Sequence, residues 1–391
     1  MPAATFLIDL SHTSHTQART GIQRVARSLL ANLPAVEPIT FDPYENAWRP
    51  LAAWEKANLE STTAAASRGA RWPFAAKLSG RWRGLVGSRP VLPASHGLIV
   101  PELFSPAVFR ALPRLFAQVA GPKIALFHDA IALQRPGAAP AKTVTRFPAY
   151  LKELLAFDGI AAISEASRDS LLGYWAWLGI PIHPPVQAIP LGTDRPTAPV
   201  SAPATGPVRL LYVSSVEARK NHVALLEACE SLWAAGESFT LELIGLSHPT
   251  SGRAALNLIT ALQAKGRPVL YAGAVPEADL ERAYRECTFT VYPSVLEGFG
   301  LPVIESVLRG RPCVCSAQGA IGESARGGGC LTLDRVDAPS LAAGIKSLLH
   351  DPAGLARLSQ EGLARRDKGW AAYAGEIAAW ANSLKTAPGR S

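Results

Sequence analysis

A proline-rich segment near the middle of the chain constrains the fold most. Residues 195–207 (RPTAPVSAPATGP) contain four prolines and almost no large apolar side chain, a composition that suits a linker between domains. The chain has 391 residues, which is long for a single core and suits two domains of about 200 residues each. The segment therefore predicts an N-terminal domain at 1–195, a linker at 196–207 and a second domain at 208–369.

Both sides of this segment alternate between strand and helix patterns. The mostly apolar run 5–10 precedes a polar loop and Gly21, after which apolar residues recur at helical spacing over 22–33. The alternation continues with strands predicted at 123–127, 159–163, 208–213, 239–244, 269–271, 288–292 and 312–316 and helices at 151–157, 164–178, 222–235 and 278–286. This pattern predicts an α/β fold of two Rossmann-like domains with open parallel sheets that face a central cleft. Residues 370–391 are expected to form a final helix that crosses back to the N-terminal domain.

Composition excludes several classes of protein. Hydrophobic residues make up 48% and charged residues 18% of the chain, which indicates a globular protein. No apolar run of about 18 residues occurs and the N-terminus lacks a signal-peptide pattern, so a cytoplasmic location is predicted. The five cysteines are odd in number, which favours reduced thiols over a disulfide framework. Cys313 and Cys315 are interpreted as packing on one face of a strand and not as metal ligands.

The net charge of +8 suits nucleic acid, an anionic membrane or phosphorylated ligands as partners. The stretch 61–101 holds six basic residues and no acid, interleaved with Trp72, Phe74 and Trp82. Two interpretations stay open, a peripheral contact with an anionic membrane and a solvated loop. No RNP, zinc-finger or helix-hairpin pattern is present, so no nucleic-acid partner is predicted.

The segment 291–306 (VYPSVLEGFGLPVIES) carries the strongest functional pattern. Glu297 and two glycines follow a predicted strand, and Pro302 stands where a helix would begin. Glycines let backbone N–H groups approach a ligand, and the N-terminus of a helix favours a phosphate. Glu305 is expected in the first turn of that helix, where a carboxylate is favoured even without a ligand. That explanation does not cover Glu297, so the pattern predicts a ligand-binding loop.

A second loop, 214–221 (SSVEARKN), directly follows the predicted strand 208–213. Its adjacent Arg219 and Lys220 suit the negative charge that a diphosphate leaving group develops. A solvated basic turn is the alternative interpretation.

These residues resemble a known family. Glu297 and Glu305, separated by GFGLPVI, resemble the E-x7-E motif of the retaining glycosyltransferases of the GT-B fold in the family called GT4, or glycosyltransferase group 1. The resemblance covers most of the chain and is strongest over 208–350. It implies that Glu297 contacts hydroxyls of the donor sugar and that Glu305 holds the nucleotide ribose. It further implies that the sugar and the diphosphate face the backbone of Gly298, Phe299, Gly300 and Leu301.

The resemblance also extends to other positions. It implies that a cation at or beside Lys220 contacts the diphosphate, that His128 contacts a sugar hydroxyl and that Gly21 lies close to the donor phosphate. Many members of the family have a glycine-arginine pair where this chain has Ser214 and Ser215. One family cation is therefore missing, which leaves more of the phosphate contact to Arg219 and Lys220.

Patterns that do not occur narrow the chemistry. The chain contains no Asp-x-Asp sequence, which transferases of another fold use to bind a divalent metal, so no metal and no cofactor are predicted. It also contains no G-x-x-x-x-G-K-[ST] phosphate loop and no G-x-S-x-G elbow. ATP hydrolysis and α/β-hydrolase chemistry are therefore not expected.

The sequence thus predicts a retaining, metal-independent hexosyltransferase of bacterial O-antigen or exopolysaccharide synthesis. By resemblance the favoured donor is GDP-mannose, ahead of GDP-rhamnose, UDP-sugars and dTDP-rhamnose. The expected acceptor is a glycan or lipid-linked glycan at the inner face of the plasma membrane. Two alternatives remain, a nucleotide-sugar epimerase of the same fold and a non-catalytic nucleotide- or glycan-binding relative.

Overall fold

The computed structural model describes residues 5–18, 21–61, 71–87, 90–196 and 206–384. The strands of these residues are β1 (Phe6–Asp9), β2 (Val36–Asp42), β3 (Ala47–Pro50), β4 (Gly97–Val100), β5 (Lys123–Phe127), β6 (Gly159–Ala162), β7 (Val186–Ala188), β8 (Arg209–Val213), β9 (Thr240–Ile244), β10 (Val269–Gly273), β11 (Phe289–Tyr292), β12 (Cys313–Ser316) and β13 (Cys330–Leu333).

The α-helices of the described residues are α1 (Gly21–Asn32), α2 (Ala53–Glu60), α3 (Phe74–Leu85), α4 (Pro106–Phe116), α5 (Ile131–Gln134), α6 (Ala141–Glu153), α7 (Glu165–Trp177), α8 (His222–Ala234), α9 (Arg253–Ala264), α10 (Glu277–Glu286), α11 (Leu301–Leu308), α12 (Gly319–Ala325), α13 (Ala338–Leu349), α14 (Pro352–Ala364) and α15 (Trp370–Ser383). None of these helices has the length and apolar character needed to cross a membrane.

The chain forms two compact units. The first unit comprises the described residues up to Ala130, Lys142–Gly192 and those from Lys368 onward. Its seven-stranded sheet has the order β3-β2-β1-β4-β5-β6-β7. The strands β1, β4, β5 and β6 are buried along their length, apart from the first residue of β5. Continuous apolar runs of this kind suit a parallel sheet that is covered on both faces.

One edge of the first sheet departs from the predicted parallel arrangement. Strand β3 pairs with β2 in the antiparallel direction, with Asp42 opposite Ala47. The short connection contains Asn46, whose φ of 54° lies in the left-handed region. A connection this short can join antiparallel strands, whereas parallel neighbours need a long crossover.

The second unit comprises Ile131–Ala141 and Thr193–Asp367. Its six-stranded sheet has the order β10-β9-β8-β11-β12-β13, and every pair of neighbours is parallel. In chain order, β8, β9 and β10 run toward one edge of the sheet, and β11, β12 and β13 then run toward the other edge. The strand order therefore reverses between β8 and β11. Open α/β sheets bind ligands at the carboxyl ends of strands at such a point.

The chain leaves the first unit after Gly192 and returns to it at Lys368. These two points touch, because a Cβ atom on Gly192 would lie 2.7 Å from the carbonyl oxygen of Gly369. After the return, α15 packs against α1. At Gly159, a Cβ atom would lie 2.6 Å from the Leu384 side chain and 2.8 Å from the Trp380 side chain, so glycine leaves room for these two side chains.

Some local predictions need correction. The pattern over 151–157 is not one helix, because α6 ends at Glu153 and a 3-10 turn covers Leu154–Ala156. The earlier part of α6, which contains Pro148, was not predicted from the sequence. Proline inside a helix removes one backbone hydrogen bond and usually signals an end. Within the predicted linker 196–207, residues 197–205 lie outside the described part of the chain.

Candidate functional site

Two loops leave neighbouring strands of the second unit. Strands β8 and β11 are paired, with Phe289 opposite Leu210, so the loops after them begin at the same edge of the sheet. The first loop contains a 3-10 turn at Ala218–Lys220 and ends at Asn221, whose φ is 60°. The backbone N–H of Val295 donates to the carbonyl oxygen of Arg219 over 3.0 Å. The two predicted ligand loops are therefore joined by their backbones.

Glu297 lies at the centre of this pair of loops. Its Oε2 is 2.7 Å from Nη1 of Arg219, and its Oε1 is 2.5 Å from Nζ of Lys220. The hydroxyl of Ser294 also donates to Oε1. Arg219 has a second carboxylate partner, Glu217, at 2.9 Å from Nη2. The structure thus brings together Arg219, Lys220 and Glu297 in one ion-pair cluster.

The cations determine the protonation state of Glu297. Burial alone would raise the pKa of this carboxyl, but Lys220 and Arg219 outweigh burial and lower the pKa to about 2. Burial lowers the pKa of Lys220, with Glu297 opposing the shift. For Arg219 the carboxylates outweigh burial, and its pKa is raised. Glu297 is therefore an anion at neutral pH.

Lys220 is held by groups that the sequence analysis did not identify. Its Nζ donates to the hydroxyl of Tyr292 over 2.9 Å, and its backbone carbonyl accepts from the Tyr212 hydroxyl over 2.7 Å. His222 lies against the Tyr212 ring, with ring centroids 4.5 Å apart. Burial and, to a smaller extent, Lys220 lower the pKa of His222 to about 3. The available signal was that both tyrosines stand near the carboxyl ends of predicted strands.

The glycine-containing loop leads directly into α11. Gly300 has a φ of 126° and lies against Ser324, whose hydroxyl oxygen would be 3.0 Å from a Cβ atom there. The same hydroxyl donates to the carbonyl oxygen of Phe299 over 3.0 Å, which fixes the loop. Helix α11 begins at Leu301 with Pro302 in its first turn. Pro302 has no N–H, and the N–H of Val303 donates to the carbonyl oxygen of Gly300 over 3.0 Å, so this helix end favours an anion mainly through its dipole.

Glu305 does not lie where the sequence analysis expected it. Because α11 begins at Leu301, Glu305 is the fifth helical residue and stands in the second turn. It is half-buried. Its carbonyl oxygen accepts from Nη1 of Arg309 over 2.9 Å. Favourable interaction with the helix terminus falls off after the first turn, so that explanation of Glu305 is weaker than the sequence suggested.

The two candidates from the N-terminal half belong to the first unit. His128 directly follows β5, and its Nε2 donates to the carbonyl oxygen of Pro101 over 2.7 Å. Burial lowers the pKa of His128, although Pro101 and Asp129 oppose the shift. The ring is therefore neutral at pH 7, with the lone pair on Nδ1. Gly21 is the first residue of α1, and a Cβ atom there would meet nothing within 4 Å.

A buried acidic pair in the first unit was not predicted from the sequence. Asp9 ends β1 and Glu102 follows β4, the neighbouring strand. Glu102 accepts from the backbone N–H groups of His12 and Thr13, each over 3.1 Å. Burial raises the pKa of Asp9 to about 6, with Ser11 opposing the shift and Glu102 adding to it. This pair positions the polar loop after β1.

The thiols lie in the core of the second unit. Cys313 and Cys315 are buried in β12, and Cys313 is paired with Cys330 of β13 in the sheet register. This arrangement confirms the interpretation as strand packing. Across the described ranges, no three or more His, Cys, Asp or Glu side chains are grouped so that they could hold a metal ion.

Comparison with solved structures defines the class of fold. The crystal structure of Anabaena HepE in complex with UDP-glucose matches 97% of this chain and 100% of its own, with a TM-score of 0.69 at 15% identity. Two α/β units with parallel sheets and this likeness identify the GT-B fold, as predicted. Residues 195–365 match the family described as Glycosyl transferases group 1. The segment that matches this family contains Arg219, Lys220 and Glu297.

Two curated relatives come from Escherichia coli. The serotype-specific mannosyltransferase WbdA is 24% identical over 338 residues, which are 79% of this chain and 38% of WbdA. The O-antigen chain mannosyltransferase B is 32% identical over 159 residues, 40% of each protein. The chain thus spans about two fifths of the length of the curated relatives that it matches.

Proposed function

We propose that the protein is a glycosyltransferase that moves a sugar from a nucleotide-sugar donor to a glycan or lipid-linked glycan in bacterial polysaccharide synthesis. The observation that carries this proposal is the cluster of Glu297, Arg219 and Lys220 beside the glycine-containing loop before α11. The cluster offers cations for a diphosphate, a fixed carboxylate for sugar hydroxyls and backbone donors from one edge of a sheet.

The cations are the proposed diphosphate contacts. Arg219 is the more accessible of the two, with 22% of its side chain exposed against 9% for Lys220. Arg219 presents a planar fork that matches two phosphate oxygens. In the proposed complex Arg219 releases Glu297 and binds the diphosphate. Lys220 keeps its hydrogen bond to Tyr292 and adds positive charge. Both cations stabilise the charge that grows on the leaving diphosphate.

The pKa of Glu297 limits its role in the reaction. A carboxyl with a pKa of about 2 neither donates a proton at neutral pH nor accepts one strongly. We therefore assign Glu297 to sugar hydroxyls, as an acceptor, and not to acid or base catalysis. Glu305 is proposed to hold the ribose, and the backbone of 298–301 to face the sugar and diphosphate.

The proposed mechanism retains the anomeric configuration. The bond between the anomeric carbon and the phosphate oxygen breaks while the acceptor oxygen bonds the same face of that carbon. The acceptor proton passes to the leaving phosphate, so no protein base is needed. His128 is proposed to contact a sugar hydroxyl through its neutral ring or its backbone, and Gly21 to leave room for the donor phosphate. No metal is required, because Arg219, Lys220 and the N-terminus of α11 supply the positive charge.

GDP-mannose is the donor we favour, since both Escherichia coli relatives are named mannosyltransferases. A UDP-sugar is the second candidate, because the solved structure of HepE holds UDP-glucose. GDP-rhamnose and dTDP-rhamnose follow. An acceptor on a lipid carrier would place the protein in the cytoplasm at the inner face of the plasma membrane, and that location is part of the proposal.

A panel of nucleotide sugars tests the proposal directly. Each donor is incubated with the protein, with and without a lipid-linked glycan, and both hydrolysis and transfer are measured. The variants Glu297→Ala and Lys220→Ala are expected to lose turnover, and Arg282→Ala, an exposed arginine of the same unit, serves as the matched control.

The outcome of the panel separates the alternatives. Donor isomerised without any acceptor would indicate an epimerase. Tight nucleotide binding with no turnover of any donor would indicate a non-catalytic relative. A product whose anomer is inverted relative to the donor would overturn the retaining mechanism.

A further inference from the structure

Helix α3 of the first unit presents its large apolar side chains to solvent. The exposed fractions are 81% for Phe74, 59% for Leu78, 65% for Trp82 and 86% for Leu85. At 3.6 residues per turn these four positions share a sector of about 80°. A helix of a globular protein normally turns such a stripe toward the core. The stripe of Phe74, Leu78, Trp82 and Leu85 is called the apolar ridge below.

The opposite side of α3 packs against the rest of the first unit. Gly80 is buried, and a Cβ atom there would lie 2.9 Å from Cβ of Tyr44 and 3.0 Å from Oδ1 of Asp42. Arg83 donates through Nε to Glu45 over 2.7 Å and through Nη2 to Asp42 over 3.3 Å. Both carboxylates have fully buried side chains. Turning the apolar ridge inward would break these ion pairs and bring bulky side chains to the tight contact at Gly80.

Positive charge borders the apolar ridge. Lys77 and Arg81 lie beside the ridge on the helix surface, and Arg81 stands over the Tyr44 ring at 5.6 Å. Arg81 also lines a surface depression of about 510 Å³ together with Asn46. A neighbouring depression of about 280 Å³ shares Asn46 and is lined by Arg110 and Arg114 of α4. No acidic residue occurs anywhere in 61–101.

We propose that α3 docks the first unit on an anionic lipid bilayer. The apolar ridge enters the boundary between headgroups and acyl chains, and Lys77, Arg81, Arg110 and Arg114 contact lipid phosphates. A helix that lies in a membrane surface has this combination of a strong apolar face and basic flanks. With 12 residues, α3 is about 18 Å long, which suits a position in the plane of the surface and not a span.

The charge pattern favours a bilayer over a second copy of the chain. In a two-fold dimer the same patch meets itself, and where the axis runs across α3 the basic flanks of both copies would lie together. Like charges across an interface oppose association. An anionic bilayer instead supplies the opposite charge along the basic flank of the ridge. The proposal goes beyond the transfer reaction, because docking needs neither donor nor acceptor.

Vesicle co-sedimentation tests the proposal with the full chain. Vesicles of phosphatidylglycerol mixed with phosphatidylcholine are compared with vesicles of phosphatidylcholine alone. We expect the anionic vesicles to bind the protein more tightly, and added salt to weaken that binding. The double variant Phe74→Ser/Trp82→Ser should bind at least about tenfold more weakly, because two large apolar side chains no longer leave water.

A matched control separates the apolar ridge from general surface hydrophobicity. Trp177 and Ile182, also in the first unit, are 79% and 76% exposed, and Trp177→Ser/Ile182→Ser should bind vesicles like the unmodified protein. Lys77→Glu/Arg81→Glu should lose the preference for anionic vesicles. All three variants change exposed or half-exposed side chains, so their thermal midpoints and their donor hydrolysis without lipid should match those of the unmodified protein.

Three outcomes would overturn the proposal. One is that the unmodified protein does not bind anionic vesicles. Another is that Phe74→Ser/Trp82→Ser binds them equally well. The third is that the unmodified protein sediments as a dimer without lipid and this variant as a monomer, which would show that a second copy covers the ridge. Donor turnover is measured separately, so a failure of docking and a failure of the proposed transfer reaction are distinguishable.

Discussion

Each unit has buried carboxyl groups at or after the carboxyl ends of its strands, but their pKa values are shifted in opposite directions. Asp9 ends β1 and Glu102 follows the neighbouring strand β4 of the first sheet, and Glu297 follows a strand of the second. Glu297 lies between two cations, and its pKa falls to about 2. Asp9 is stabilised mainly by Ser11, and burial raises its pKa to about 6.

This difference shows how local partners, and not the fold, set the chemistry at the end of a parallel strand. Backbone N–H groups and hydroxyls can hold a carboxyl group in place without keeping it charged. The neighbouring cations keep Glu297 charged at low pH, and the same cations can bind an anionic ligand. The cations beside Glu297 therefore support the diphosphate site proposed in the second unit.

The largest expected effect comes from removing a cation of that cluster. Arg219→Gln keeps a polar side chain but loses the charge and the planar fork. Because groups that stabilise charge in the transition state contribute strongly, we expect kcat to fall by about 10²–10³. Steady-state donor turnover measures this, with Arg282→Gln as the control. A loss below about tenfold would indicate that Arg219 serves Glu297 and Glu217 and not the reaction.

The next effect concerns the stability of the second unit. Glu297→Gln leaves the buried charge of Lys220 without its carboxylate partner, which should lower the free energy of unfolding by about 3–5 kcal/mol. Urea unfolding at about pH 7 measures this change. In Lys220→Met/Glu297→Gln the buried charge is removed as well, so most of the loss should be restored. Equal stability of the single and the double variant would contradict this account.

The same ion pairs predict an acid dependence of stability. The folded pKa of Glu297 is about 2 against an ordinary value of 4.5, so its contribution is complete above about pH 4.5 and is lost as the pH falls toward 2. The full contribution is about 3 kcal/mol. The unfolding free energy of Glu297→Gln should therefore change less than that of the unmodified protein over this interval.

A smaller effect of opposite sign is expected for Asp9. Its folded pKa is raised from 3.8 to about 6, so the folded state binds the proton more tightly and loses stability as the pH rises between these values. Asp9→Asn keeps an acceptor for Ser11 and should raise the unfolding free energy at about pH 7.5 by no more than about 3 kcal/mol. At about pH 3.5 the variant should show little gain. A gain in unfolding free energy that does not depend on pH would contradict this explanation.

The last prediction is that removal of divalent metal ions has no effect on the rate of transfer. If Arg219, Lys220 and the N-terminus of α11 supply the charge for the diphosphate, a chelator such as EDTA should leave the rate of transfer unchanged. The rate is measured before and after exhaustive chelation, and again after Mg²⁺ or Mn²⁺ is restored. Loss of activity on chelation and its recovery with one ion would show that a metal takes part.

Much of the second unit could be predicted from its sequence because its local patterns agree with its fold. The strands that carry the two loops begin and end within a residue of their predicted limits, and Pro302 marks the start of α11. The contacts of Lys220 with Tyr292 and Tyr212 could not be predicted. They depend on the pairing of β8 with β11, and that pairing joins residues about 80 positions apart.

Helix α3 shows where sequence patterns mislead. Phe74, Leu78 and Trp82 recur at a spacing that is typical of a helix packed on a core. The sequence alone identified a basic and aromatic stretch but not the direction of its apolar side. That direction depends on the tertiary contacts of Gly80 and Arg83, which fasten the other side of the helix to Asp42 and Glu45.

The contact between Gly192 and Gly369 has a consequence for synthesis of the protein on the ribosome. The chain leaves the first unit and re-enters it at adjoining points, so most of the second unit is a continuous insertion that can fold as soon as it has emerged. The first unit receives α15, which packs on α1, only after the inserted residues have been made. Domains usually fold in the order of their synthesis; here the unit that begins first is the one completed last.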